Sequence, residues 1–112
     1  MGGSAGDVLP GSPLKFFQSL TENLCRATRI VVANQHMNLP TDMRALDIPL
    51  AGRHVWKWFV DVDHGRSGES LSYADIEAWG RVCEEIVRPW EARALLAMDL
   101  ARRAEIQVLA KQ

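Results

Sequence analysis

Apolar residues recur at helical spacing in four stretches of this chain. In the first, Leu14, Phe17, Leu20 or Thr21, Leu24, Thr28 and Val31 mark one face of a helix that runs to about Gln35. Ser12-Pro13 ahead of it reads as an N-cap followed by proline at the first helical position. Phe16, Ile30 and Val32 widen the stripe beyond one face. That width fits a helix contacted from two sides, one of which a partner chain can supply. In the second stretch, Val55, Trp58, Phe59 and Val62 fall at i, i+3, i+4 and i+7, predicting a short amphipathic helix over 53–62. Trp56 falls off that stripe. It is expected either to fold under another helix or to meet a partner.

The third stretch has the clearest start signal. Ser72 is placed to cap the backbone N–H of Asp75, and Asp75 to reach back as a short capping-box acid, with Leu71 and Ile76 at the flanking staple positions. Tyr73, Ile76, Trp79, Gly80, Cys83, Ile86 and Val87 then mark its predicted buried face. Gly80 costs helix propensity and points to a close approach by a neighbouring helix or side chain. Pro89 ends this helix and opens the last, with Trp90 in its first turn and Glu91 suited to the positive end of the helix dipole. Along the last helix Trp90, Ala94, Ala97, Met98, Ala101, Glu105 and Val108 recur at 3.6-residue spacing, while Leu95, Leu96 and Leu100 broaden the apolar surface. No segment alternates with period two. The prediction is an all-α small helical domain of about four helices, the last two forming a short-linked hairpin.

The segments between follow turn chemistry. Residues 1–12, rich in Gly, Ser and Pro, read as a flexible N-terminal tail. Residues 36–52 read as a connector, in which Pro40 and Pro49 bracket a single turn that Thr41 or Asp42 can cap, with Met43 and Leu46 on one side. Residues 63–70, from Asp63 to Ser70, form a polar loop. The chain therefore divides into a tail (1–12), an N-terminal helix with its connector (13–52) and a Trp-rich helical module (53–112).

Bulk properties narrow the function. The 112 residues carry 47% apolar and 24% charged side chains, an ordinary globular composition with room for one domain. A net charge of −1 gives the whole molecule no electrostatic pull toward nucleic acid or anionic lipid. No signal-peptide pattern opens the chain, and position 6 is Gly where a myristoylation motif needs Ser or Thr. No apolar run is long enough to span a bilayer, so the expected address is the cytosol, with no membrane partner. Cys25 and Cys83, far apart in helical patterns, read as small buried hydrophobes.

No set of residues is arranged for chemistry. Asp61-Val62-Asp63-His64-Gly65 resembles the start of a calcium loop, but Gly65 occupies a ligand position and Ser72 stands where a bidentate acid belongs. His36, His54 and His64 are scattered over three segments without a partner at metal or catalytic spacing. Glu77, Glu84, Glu85 and Glu91 read as solvated faces and helix-start acids. The reading is of a non-enzyme, with no catalytic residue, cofactor or metal. The short link from Ile86 to Pro89 suggests, as the alternative, a DNA-binding or regulatory helix-turn-helix protein. A recognition helix, however, presents polar residues over its first turns, whereas this one opens Trp90-Glu91-Ala92 and runs on through Ala94-Leu95-Leu96-Ala97.

The order of aromatic positions carries a resemblance. Trp56, Trp58 and Phe59, then Leu71-Ser72-Tyr73 with Ile76, Ala78 and Trp79, then Pro89-Trp90-Glu91 with Leu95, Met98, Asp99 and Ala101, resemble a family of small tailed-phage and prophage proteins. Those are similar to the tail assembly chaperones, and the likeness covers roughly residues 53–105. It implies a non-enzymatic role, the transient binding of tail tube or tape-measure protein during assembly. Trp56 and Trp90, with Leu95, Leu96 and Leu100 of the last helix, are then the expected partner-binding anchors, because large aromatics dominate interface energetics. Self-association is left open. An interfacial Trp56 predicts that Trp56→Ala weakens partner binding with the helical signal intact; a core Trp56 predicts unfolding.

Overall fold

A computed structural model describes residues 13–33, 48–65 and 70–111. Among them are four α-helices and no strand: α1 (Pro13–Ala33), α2 (Arg53–Gly65), α3 (Tyr73–Cys83) and α4 (Pro89–Ala110). A single 3-10 turn, Leu50–Gly52, leads into α2, closed by the Gly52 N–H donating to the Pro49 carbonyl at 2.9 Å. The all-α class and the α3–α4 hairpin follow the periodicity. The proposed Ser12 cap and the turn between Pro40 and Pro49 lie outside the described residues.

The two long helices, α1 and α4, form the most extensive contact in the fold. Leu20, Leu24, Ala27, Thr28, Val31 and Val32 of α1 are all buried, and small Ala27 and Thr28 sit at the centre of that face. The Thr28 hydroxyl donates to the Leu24 carbonyl at 2.8 Å, so its burial leaves no polar atom stranded. On α4 the buried side chains are Glu91, Ala94, Leu95, Met98 and Asp99. That face is rotated from the one the apolar spacing predicted. Trp90, Ala97 and Ala101 are only half-buried, and Val108 is exposed. The rotation has a physical cause, because two acids lie on the inner side and each has partners there.

On α2 the core face is Val55, Phe59 and Val62 as predicted, but its arc extends to Trp56 and leaves Trp58 at the edge. One helical step carries a residue about 100° around the axis, so Trp56 lies on the flank of the same broad face. The predicted face of α3 shrinks further. Ile76 and Gly80 are buried and Trp79 and Val87 half-buried, but Tyr73, Cys83 and Ile86 are exposed, against expectation. Apart from the Leu71–Ile76 staple and Trp79, little on α3 meets another helix, so its outer positions stay in water.

The α3 caps show how local sequence fixes a helix. Ser72 Oγ accepts from the Asp75 N–H at 3.2 Å, and Asp75 Oδ2 accepts from the Ser72 N–H at 3.0 Å. This is the capping box read from sequence. At the other end Glu84 takes a left-handed conformation (φ 56°, ψ 41°), and the Glu85 N–H donates back to the Gly80 carbonyl at 2.9 Å. A Cβ on Gly80 would lie 3.2 Å from the Glu85 carbonyl oxygen. The close approach that Gly80 permits is therefore that of its own chain turning at the helix end, not of a neighbouring helix.

Candidate functional site

A row of rings crosses the molecule from α1 to α3. Phe16 leans on Phe17, and Phe17 stacks on Trp90 with centroids 4.7 Å apart and planes within 9°. His54 stands edge-on between Trp90 and Trp58, at 5.9 Å and 5.0 Å. Trp58 then meets Trp79 at 5.5 Å and 60°. Most of these rings are half-buried. Each belongs to a different helix from the next wherever the row crosses a helix boundary, so the row ties all four helices along one side.

Sequence spacing explains how each ring is placed. His54 and Trp58 are one turn apart on α2, which sets them on one face. Pro89 at the first position of α4 fixes where that helix begins, which puts Trp90 in the first turn beside Phe17. His54 is further held by Glu91, whose Oε2 lies 2.6 Å from Nε2. Glu91 Oε1 accepts from the Arg88 N–H at 2.7 Å, satisfying a donor ahead of the helix. Glu91 is thus the helix-start acid its position suggests, and it is buried with its partners in place. His54, which the sequence left without a partner, holds α2 to α4.

Other acids fasten the rest. Asp99 Oδ2 accepts from the Leu71 N–H at 2.9 Å and from Arg103 Nε at 3.2 Å, docking the entry to α3 on α4. Asp63 pairs with Arg102, joining the end of α2 to α4. Asp61 accepts from the Trp79 indole N–H, joining α2 to α3. The two acids of the calcium-loop-like stretch are therefore engaged as interhelical ties. Among the described residues no group of three or more His, Cys, Asp or Glu is placed to hold a metal ion. No helix among them is long and apolar enough to cross a membrane.

The five expected anchor residues separate into two groups. Trp56 and Leu95 are fully buried within the single chain, where a second molecule has no access to them in this conformation. Trp90, Leu96 and Leu100 lie elsewhere. Trp90 and Leu96 are half-buried and Leu100 is 60% exposed. On the helical wheel these three share one arc of α4 with Arg93 and Ala97, opposite the arc of Glu91, Leu95, Met98 and Asp99. At the edge of this arc α1 and α4 enclose a groove of about 600 Å³, floored by Leu14, Phe17, Trp90 and Ala97 and rimmed by Glu22 and Arg93. Sequence reasoning missed Phe17, Leu14 and His54 as members of the site. Phe17 and Leu14 stood in the α1 stripe, but nothing local says which helix that stripe meets.

A second cleft lies between α2 and α3, about 480 Å³ in volume, lined among others by Trp58, Trp79, Asp61 and Glu85. Cys83 opens onto it, and its sulfur lies 3.7 Å from Asp61 Oδ2. The Cys83 thiol is held above its ordinary pKa. Loss of hydration to its neighbours comes first, although the residue is exposed, followed by Asp61, as charge and as hydrogen-bond partner, and then by Glu85. The two carboxylates, Asp61 and Glu85, share the lining of the cleft with Lys57 and His54. The first turn of α4, where a recognition helix would meet base edges, is engaged instead with Phe17 and His54.

No curated protein and no solved structure matches the chain. A sequence model of the phage tail assembly chaperones matches residues 32–104, about two-thirds of its length. The chain belongs to the phage tail assembly chaperone family.

Proposed function

We propose that this tail assembly chaperone acts without catalysis, in the host cytosol, by holding apolar segments of tail tube or tape-measure protein before they assemble. The supporting observation is the arc of α4 that the core does not use. Trp90, Leu96, Ala97 and Leu100 continue there into the Leu14–Phe17 groove, on a helix whose opposite arc is filled. Exposed apolar surface rimmed by charge is the usual mark of a protein contact. Trp90 and Leu100 are the anchors of this reading; Trp56 and Leu95 support it from the core. The fold needs no partner to satisfy Glu91, whose two oxygens meet His54 and the Arg88 N–H, which suits a protein that must stay folded before and after it binds.

The test is capture of tail proteins by the tagged chain from cells expressing phage tail genes, with Leu100→Glu alongside. Leu100 is exposed, so the variant keeps the helical circular dichroism and thermal midpoint of the parent. Recovery of tube or tape-measure protein, reduced at least tenfold by Leu100→Glu, is expected. Capture that Leu100→Glu leaves unchanged removes the α4 arc from the reading. Recovery of nucleic acid alone, lost steeply with rising salt, replaces it with the DNA-binding alternative.

A further inference from the structure

We propose that the α2–α3 cleft is a receptor for an arginine side chain of the partner protein, seated on the Trp58 and Trp79 indoles and facing Asp61 and Glu85. The inference rests on the reading of this protein as a chaperone that binds another protein, and it names the chemistry of one contact.

Three features carry it. The first is shape, since Trp58 and Trp79 meet at 60° with centroids 5.5 Å apart and both line the cleft of about 480 Å³. Both rings are half-buried, so they are held in place and still present surface. The second is charge, because Asp61 and Glu85 line the cleft against a single ammonium, that of Lys57. A cation is favoured there and an anion is not. The third is the state of one indole. Trp79 donates its N–H to the Asp61 carboxylate, which pushes electron density into the ring and strengthens its attraction for a cation over its face.

Arginine fits this combination better than lysine or an apolar side chain. Its planar guanidinium stacks on an indole while its edge N–H groups reach carboxylates, two contacts that a compact ammonium cannot make together. An apolar residue would take water from Glu85 and Asp61 and give back nothing beyond the Trp79 N–H that Asp61 already accepts. A floor of two tryptophans alone would suit a leucine; the two acids decide the matter.

The experiment uses the full chain and its four indole N–H resonances in two-dimensional NMR, assigned with single Trp→Phe variants. The probe is N-acetyl-arginine amide, compared with N-acetyl-citrulline amide, which keeps the shape and lacks the charge, and with N-acetyl-leucine amide. The expected result is a saturable shift of the Trp58 and Trp79 indoles with the arginine probe only, Trp56 remaining still. Glu85→Gln, an exposed position whose side chain ties no helices, should weaken it about twofold or more without altering the thermal midpoint, and Asp61→Asn, which keeps an oxygen to accept from the Trp79 N–H, should weaken it further. Equal shifts with citrulline or leucine amide overturn the proposal, as does the absence of any saturable shift up to roughly 100 mM. A chain that captures tail protein but ignores the arginine probe keeps its proposed function and loses this inference. A chain that binds the probe at this cleft but captures no tail protein does the reverse.

Discussion

Helices α1 and α3 are held in the molecule by different means. α1 commits six side chains to the interior, from Leu20 through Val32, and meets α4 over most of its length. α3 commits Ile76 and Gly80, and depends for the rest on ties made by others: Asp99 to the Leu71 N–H, Asp61 to the Trp79 indole. Its outer surface leaves Tyr73 and Val82 in water, and Ile86 of the link that follows is exposed too. The family match takes in α3 completely but begins at residue 32, where α1 is nearly over. The stretch that identifies the family is therefore not the same as the unit that folds. α1 lies mostly outside it and yet completes the core that the matched helices share. A helix fixed by packing should open only with the whole domain, whereas one fixed by a few polar ties should open on its own first.

The largest effect should come from the core. Trp56→Ala removes a fully buried indole and should cost about 3–5 kcal/mol, a large part of the stability of a domain this size. Trp79→Ala, half-buried and tied by one hydrogen bond, should cost roughly 1–2 kcal/mol. Urea denaturation followed by circular dichroism measures both. Equal costs would erase the distinction between the two regions.

A more selective test is to cut one tie. Asp99→Ala leaves the Leu71 N–H and the Arg103 guanidinium without their acceptor and should destabilise the domain by roughly 2–3 kcal/mol. Hydrogen exchange should then show the amides of 71–83 losing protection well before those of α1. Protection lost uniformly over all helices would mean that α3 is as much part of the cooperative core as α1.

The tie residues also mark where the sequence stops being legible. The α3 capping box, the proline start of α4 and the Val55–Phe59–Val62 face can be read directly, because each depends on residues within two turns of one another. The buried arc of α4 cannot. Apolar spacing selects Trp90, Ala97 and Ala101, and passes over Glu91 and Asp99 because an acid on a helix is ordinarily solvated. What places those acids inside is His54, 37 positions away, and the Leu71 N–H, 28 positions away. The same limit applies to the aromatic row. Trp90 is conspicuous in the chain, but its stacking partner Phe17 belongs to a stripe whose opposite number no local pattern names. Trp56 reads as either core or interface for the same reason.

A smaller effect, of opposite sign, is expected at the end of α3. Glu84 holds a left-handed backbone (φ 56°) that a side chain makes costly and glycine accepts freely. Glu84→Gly should stabilise the domain by about 1 kcal/mol, visible as a higher urea midpoint with unchanged slope. Because the change acts on α3 alone, hydrogen exchange should slow in α3 and stay the same in α1 if α3 opens separately. A stabilisation shared by both helices would show that they open together.

The two cysteines allow the smallest and most local test, one on each helix. Cys25 on α1 is raised above its ordinary pKa chiefly by burial, with Glu22 adding to the rise and Arg29 opposing it. Cys83 on α3 is exposed, and part of its rise comes from Asp61 and Glu85. A raised thiol pKa means less thiolate at neutral pH, and thiolate is the species that iodoacetamide attacks. Asp61→Asn removes one of the charges that oppose ionisation, so the Cys83 pKa should fall toward its usual value. At pH 7, below that pKa, the alkylation rate of Cys83 should rise about two- to fivefold, with the gain vanishing at high pH where both forms are ionised. Cys25 should not respond to Asp61→Asn, since what raises its pKa is chiefly its burial on α1. If Cys83 keeps its slow rate in Asp61→Asn, access and not charge protects it, and the α2–α3 cleft is more closed than its exposed lining implies.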